Sequence, residues 1–402
     1  MPKLKKPNLL ILIVIAIATG ICCGWFVTEP LTRIFITFNA LFSNFLGFCI
    51  PLIILGFVAP AIADLGEKAG KMLLVTVLLA YSVTLGAGLL SFFVSDSFFP
   101  SLLEAETATE SLESPTEISP FFNVQIPPFM DIMSALVLSF IVGIGLTQIK
   151  SKRGQLKNLL SEFREIISWI ISKIIVPLLP LYIFGIFLKM SFTGEASSVL
   201  VAFSKVIIVI FALHLIWLLA LYSIGAIFSK GEKNPLKLLW TMLPAYFTAL
   251  GTSSSAATIP VTLRQTIKMG VDDDIAGFSI PLCATIDLSG SALKIVSCAV
   301  ALMLMKGMPY DFGMFAYFVA MMGIALVAAP GVPGGSIMAA LGLLSSILGF
   351  SETDCALMIA LYIAMDSFGT ACNVTGDGAI ALIVDRFFGK KRAMAEVAET
   401  II

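Results

Sequence analysis

Charge is what this sequence is short of. Only 13% of its 402 residues are Asp, Glu, Lys or Arg, and 58% are hydrophobic; soluble domains carry roughly a quarter charged residues. That shortage excludes an ordinary soluble chain and points to a protein of the lipid bilayer. The net formal charge is −1, so the basic excess that a nucleic-acid partner needs is missing. Histidine occurs once, at His214, among Leu, Ile and Trp. With no cysteine or carboxylate pattern beside it, it reads as a packed residue and not a ligand. The seven cysteines (22, 23, 49, 283, 298, 355 and 372) sit almost entirely in apolar segments and show no metal-ligand spacing. They read as small buried residues, not a disulfide framework. No zinc motif and no Gly-x-Ser-x-Gly elbow occurs, so no nucleophile and base are paired, and an enzyme is not expected.

What the chain does have is long apolar runs, near 9–27, 34–62, 71–95, 129–148, 160–190 and 198–229. Its length leaves room for about eight spanning helices plus shorter segments. The first run follows Lys3, Lys5 and Lys6 but continues too long for a signal peptide, and no small-x-small cleavage pattern follows it, so it reads as a retained helix. Lys68 and Lys71 come two crossings later. No Lys or Arg then occurs before Lys150, after which Lys152, Arg153 and Lys157 follow, and later Lys230, Lys233 and Lys237. By the positive-inside rule these loops are cytoplasmic. The Ser/Thr/Glu/Pro-rich stretch 96–128 is then outside, and its five glutamates make a mobile solvated loop the expectation.

Beyond Lys237 the pattern breaks. Gly251-Thr-Ser-Ser-Ser-Ala-Ala-Thr-Ile-Pro260 interrupts one apolar segment, and Ala-Ala-Pro-Gly-Val-Pro-Gly-Gly-Ser336 cuts another within 328–340. Such breaks are tolerated at membrane depth only where they are buried or line a cavity. Two re-entrant hairpins fit better than two full crossings, the first entering from the cytoplasmic side and the second from outside. Each is followed by a long helix, 275–305 and 355–384. Hairpin then helix, twice and from opposite faces, reads as an inverted repeat whose tips meet at mid-membrane.

Both long helices carry polar groups. In the apolar run 356–384, Asp366, Thr370, Asn373 and Asp377 fall at i, i+4, i+7 and i+11, on one helical face. Carboxylates at membrane depth need a cation to meet them: a metal ion, a proton or a substrate ammonium. The alternative is a structural polar network between packed helices. The other helix carries Asp287, Ser289, Gly290, Ser291 and Lys294. A glycine between serines is expected to unwind there and free carbonyls for a hard cation such as sodium. Asp287 and Lys294, seven apart, are expected on one helical face.

Four blocks, in this order, resemble the dicarboxylate/amino acid:cation symporter family of the glutamate transporters, over roughly residues 240–390. Ser-Ser-Ser-Ala-Ala-Thr-Ile-Pro260 is similar to its first hairpin tip, and Gly331-Val-Pro-Gly-Gly335 to its second. Asp287-Leu-Ser-Gly-Ser291 stands where the family usually has Asn-Met-Asp-Gly-Thr, and Asn373-Val-Thr-Gly-Asp377 resembles its last-helix motif. The resemblance implies an all-α membrane protein of eight transmembrane helices and two re-entrant hairpins, a homotrimer working as an elevator. Residues 1–70 and 129–195 would form the scaffold (helices 1, 2, 4 and 5). Residues 71–95 and 196–390 would form the transport domain (helices 3, 6, 7, 8 and both hairpins). The stretch 96–128 would be an extracellular loop and 391–402 a cytoplasmic tail.

Carried onto this chain, the resemblance gives Asp366 the substrate α-amino group. Asn373, Ser254 and Ser255 would take the α-carboxylate, while Val332 and Gly335 close over it from the second hairpin. Thr370 and Gly369 would lie at the substrate side chain, with Ser291 and Lys294 on the broken-helix side. One sodium site would use Asp377, Asn373 and broken-helix carbonyls. Another would lie between Ala329 and the backbone of Thr285 to Leu288, and Asp287 would add a charge. The resemblance, closest to a bacterial branch of the family, further implies a prokaryotic inner-membrane protein in contact with lipid, with both termini cytoplasmic.

Three departures bear on the substrate and the ions. Acidic-amino-acid members carry an arginine where Gly369 stands, a fork suited to a side-chain carboxylate. Its loss leaves room for a small side chain, and the surrounding residues look closest to the bacterial serine/threonine branch. Serine, threonine or alanine is therefore expected. The counterargument is Lys294, which would supply the missing charge and keep an acidic amino acid or dicarboxylate in play. Ser289 replaces the aspartate of the third sodium site, and Val75-Thr-Val-Leu-Leu-Ala-Tyr81 is apolar where further ligands belong, so one or two sodium ions are expected. Proton coupling through Asp287 is the rival. An ion channel along the polar stripe is the reading from another class, and two gated hairpins favour a carrier over it.

Overall fold

The computed structural model describes residues 9–67, 71–107, 118–148, 154–194, 196–327, 329 and 334–389. Helices account for nearly all of them, and no strand occurs among the described residues. Helix α1 (Leu9–Gly24) lies along a later helix, α6 (Val176–Phe192), and its glycines set the approach. A Cβ on Gly20 would stand 2.8 Å from the carbonyl oxygen of Phe184, and one on Gly24 would run into Ser191. Next come α2 (Glu29–Glu67), α3 (Lys71–Thr107) and α4 (Ile132–Gln148). Helices α5 (Gln155–Ile170) and α6 (Val176–Phe192) join through a π turn, Ile171–Ile175, immediately before Pro177. A proline cannot close the normal i−4 bond, and the wider turn absorbs its ring. Helices α1, α2, α4, α5 and α6 pack on one another.

The second half begins with α7 (Ala196–Phe228) and α8 (Pro235–Thr252), the latter capped by the Asn234 side chain. Helix α9 (Ser255–Lys268) follows after two residues and packs back against α8 as a helical hairpin. Helices α10 (Asp273–Ile286) and α11 (Ser289–Met305) are one run broken at Asp287 and Leu288. Then α12 (Phe312–Val327) and α13 (Gly335–Leu348) pack on each other. Finally, α14 (Glu352–Ala364) and α15 (Asp366–Phe388) meet at Met365 with a 64° bend. Helix α15 is the hub of this half, touching α3, α7, α8, α9, α10 and α11. Ion pairs tie its periphery. Lys230 holds buried Asp385 at 3.2 Å, and Lys306 joins the end of α11 to Asp354 in the capping box of α14 at 2.6 Å.

The protein is an all-α integral membrane protein. Five stretches are long and apolar enough to cross a bilayer: Glu29–Pro60, Lys71–Leu103, Gln155–Phe192, Leu200–Phe228 and Asp273–Met305, with the bent α14–α15 pair as a sixth. Helices α1, α4, α12 and α13 are apolar but shorter. Exposed Ile208, Leu215, Ile216 and Leu219 on α7 give it a face that only lipid or another apolar surface would cover.

Several expectations about local structure change. The third helix does not stop near residue 95; it continues to Thr107, about 55 Å in all at 1.5 Å per residue. Part of the expected solvated loop is strapped to α2. Arg33 donates to the Ser119 carbonyl and lies over the Phe121 ring, the Phe121 N–H donates to Thr37, and Asn44 donates to Asn123 and Val124. The rest of that stretch, 108–117, is outside the described residues. Pro260 lies inside α9, so the first interruption is only Ser253 and Ser254. The unwinding falls at Asp287 and Leu288, and Gly290 is helical. Asp287 therefore has extended backbone and shares no helical face with Lys294.

Candidate functional site

The breaks described above converge. Ser253 adopts the left-handed conformation (φ 50°) at the end of α8, and its hydroxyl meets Ser367 of α15 at 2.7 Å. Ser254 then caps α9, its Oγ accepting from the Ala257 N–H. Gly334, also left-handed (φ 76°), opens α13. The starts of α9 and α13, the break in α10–α11 and the first turns of α15 enclose a cavity of about 110 Å3. Two helix N-termini on one cavity leave backbone N–H groups suited to a carboxylate.

Most of the sequence-derived candidates line this cavity: Ser254, Ser255, Thr285, Leu288, Ser291, Ala329, Gly335, Asp366, Thr370 and Asn373. Val332 lies outside the described residues. Gly369, Lys294, Asp287 and Asp377 are not on its wall. Ser253, Ser336 and Tyr362 also line it, and the sequence reading missed all three.

Asn373 is the joint between helices. Its Oδ1 accepts the N–H groups of Gly290 (2.8 Å) and Ser291 (3.3 Å), and its Nδ2 donates to Ser291 Oγ. An amide has two donors, so one N–H remains for a ligand. The close fit needs Gly290, where a Cβ would stand 2.6 Å from Cys372 Cβ and 2.7 Å from the Gly369 carbonyl oxygen. His214, expected as a packed residue, also touches this joint, its Nε2 lying 3.1 Å from the Gly290 carbonyl oxygen. Thr370 donates to the Asp366 carbonyl oxygen within its own helix, which leaves its hydroxyl oxygen free to accept from a ligand.

Asp366 opens α15, a position where the helix dipole favours negative charge. Its Oδ1 meets Lys294 Nζ at 3.3 Å and its Oδ2 accepts the Gly334 N–H at 3.2 Å. Lys294 has no exposed surface. Its ammonium also donates to the Met365 carbonyl oxygen and lies 3.5 Å from the Tyr362 ring centre. A Cβ on Gly369 would come within 2.6 Å of Lys294 Cε and Nζ. The space beside Gly369, read from the sequence as room for a substrate side chain, is occupied by Lys294.

A second group of polar atoms lies behind Asn373. Both carboxylate oxygens of Asp377, Oδ2 of Asp287, and the hydroxyls of Ser289 and Thr84 are buried without a hydrogen-bond partner. A Cβ on Gly376 would sit 3.1 Å from Asp287 Oδ2 and 3.8 Å from Ser289 Oγ, so these atoms surround the Gly376 turn. Thr84 of α3 faces Asp287 without reaching hydrogen-bond geometry. The sequence reading found no ligand on that helix. The available signal was a hydroxyl one turn beyond Tyr81 in an otherwise apolar run. Buried oxygens left unpaired are costly, and an all-oxygen set with two carboxylates fits a hard cation.

The sodium:dicarboxylate symporter family model matches residues 9–387. The chain belongs to that family. Among its relatives are the serine/threonine transporters SstT of two Streptococcus agalactiae strains, each 28% identical across 96% of this chain and 98% of their own length. An excitatory amino acid transporter of Caenorhabditis elegans is 27% identical across 65% of this chain. The chain spans about half of that nematode protein, 52%, and 53% of its Onchocerca volvulus counterpart. Within the symporter family, its likeness is closer to the serine/threonine branch than to the excitatory branch. It is a membrane-embedded, secondary-active symporter. Among the described residues no three His, Cys, Asp or Glu side chains group to hold a metal.

Proposed function

We infer that this symporter imports a small neutral amino acid of the serine, threonine or alanine class, driven by a sodium gradient. The observation that carries the reading is the wall of the 110 Å3 cavity, where no Lys or Arg appears among the described residues. A side-chain carboxylate would enter with no cation to meet it, whereas Lys294 is already held by Asp366. The α-amino group of the substrate would meet Asp366 from the cavity side, since a carboxylate offers about four acceptor positions. The α-carboxylate would take Asn373 Nδ2 and the N-termini of α9 and α13 around Ser254, Ser255 and Gly335, and Thr370 would accept from a substrate hydroxyl. The full-length likeness to serine/threonine transporters points the same way. The reading with Lys294 as the partner of an acidic side chain would require the lysine to leave Asp366 and turn into the cavity.

For the coupling ions, the unpaired oxygens of Asp377, Asp287, Ser289 and Thr84 support one sodium site. Ala329, Thr285 and Leu288 on the cavity wall support a second. A proton shared by Asp287 and Asp377 is the rival. We read the fold as eight spans with α8–α9 and α12–α13 re-entrant. The scaffold would be α1, α2 and α4 to α6, within 1–70 and 129–195, and the remaining helices would move. A cavity of about 410 Å3 between α2 and the α13–α14 pair supports a loosely packed sliding surface. Trimerisation, cytoplasmic termini and the prokaryotic inner membrane belong to the same reading.

The test is equilibrium binding of labelled L-serine to the purified protein in sodium and in choline. Sodium-dependent serine binding that excess L-aspartate leaves in place is the expected result. Displacement by aspartate at concentrations similar to unlabelled serine would favour the acidic reading.

A further inference from the structure

Lys294 has a position that substrate binding does not explain. It is wholly buried beside the cavity and does not line it. Its ammonium is held from three sides, by Asp366 Oδ1, the Met365 carbonyl oxygen and the face of Tyr362. The other oxygen of Asp366 accepts the N–H of Gly334, which opens α13. Ammonium, carboxylate and the start of α13 thus form one connected chain made from the protein alone. Room for it exists because residue 369 is glycine; a Cβ at that position would collide with the lysine.

We propose that Lys294 is a tethered counter-cation, which neutralises Asp366 during the part of the cycle when no amino acid is bound. The proposal rests on the symporter reading above. A carrier that delivers its substrate must return without it. On the loaded journey the substrate ammonium meets Asp366. On the return, a bare carboxylate at membrane depth carries a heavy desolvation penalty. A dissolved cation could offset it, at the cost of being carried outward each cycle. Lys294 does so from within the chain, where tethering gives it a high effective concentration. Because Asp366 also accepts from Gly334, the start of α13 is seated on a pair whose charge is already balanced. Lys294 acts here through Asp366 and is a positioning residue.

The experiment compares net uptake of labelled serine into serine-free proteoliposomes with exchange against lumenal serine. Lumens hold either potassium or N-methylglucamine. The wild type is expected to show net uptake at rates within about twofold in the two lumens, far below the tenfold that 1.4 kcal/mol represents. Lys294→Met is expected to lose net uptake at least about tenfold more than exchange, with partial recovery from lumenal potassium. Lys294→Arg, which keeps the charge, should hold the wild-type ratio. The proposal is overturned if the wild type needs lumenal potassium, or if Lys294→Met lowers exchange and net uptake together or neither. Should Lys294→Met fail to fold, the wild-type lumen comparison and the Lys294→Arg ratio decide alone. A wild type that exchanges no serine would instead count against the neutral-substrate reading, and the same ratios would then be read with aspartate.

Discussion

In the proposed reading Asp366 both meets the substrate amino group and balances Lys294, and its substitution separates the two. Removing its charge leaves Lys294 buried with no counter-ion, and breaking one half of a buried pair costs about 3–5 kcal/mol. Asp366→Asn is therefore expected to lower thermal stability as well as abolish serine binding. Adding Lys294→Met to Asp366→Asn should recover the melting temperature but not the binding. Thermal unfolding and serine titration of both variants check this; a stable Asp366→Asn single variant would contradict the buried pair. Asp377 has no hydrogen bond to lose, only the partnerless oxygens of its carboxylate. Asp377→Asn should leave the fold stable and raise the sodium concentration for half-maximal serine binding at least about tenfold, a loss of 1.4 kcal/mol. Unchanged sodium dependence would remove Asp377 from the ion site.

At the scale of elements, the account depends on α11 seating its first turn against α15. Gly290 makes that contact, and a methyl there must push against Cys372 and the Gly369 carbonyl. Gly290→Ala should cost about 1–3 kcal/mol through overpacking and loosen the Asn373 joint, so serine affinity falls while the protein still purifies folded. Wild-type affinity in a folded Gly290→Ala protein would show that the joint tolerates separation. These element breaks were partly legible in the sequence. The serines at 253–255, the Pro-Gly run after residue 328 and the polar insert at 287–294 all announced interruption inside apolar stretches. Their exact seats were not. Pro260 stays helical, and the helix breaks before Gly290 because its N–H there caps onto Asn373, 83 residues away. The 64° bend at Met365 left no glycine or proline to read. Lys294 and Gly369 are 75 positions apart, so that one fills the space of the other is a tertiary fact. Thr84 was hidden for the same reason, since one hydroxyl in an apolar helix has no meaning until Asp287 faces it.

For the whole molecule, the elevator reading makes α13 slide past α2. Ile50 of α2 and Leu341 of α13 both border the 410 Å3 cavity between these helices. In a cysteine-free background, Ile50→Cys with Leu341→Cys should cross-link under a short bifunctional reagent and stop serine uptake, with recovery when a cleavable linker is cut. Full uptake by the cross-linked protein would mean that the two helices do not move past each other. Composition made the membrane class plain, and the order of four motifs made the family plain. The strap along α2 was less legible, because Arg33 and Asn44 find their partners about 80 residues later.

The central claim is that this symporter carries a small neutral amino acid on a sodium gradient through a pocket without a side-chain cation. Uptake of labelled L-serine into proteoliposomes, with and without an inward sodium gradient and against excess L-aspartate, tests it most directly. The account predicts accumulation that needs the sodium gradient and persists in aspartate. Serine left outside while labelled aspartate accumulates in its place would contradict it.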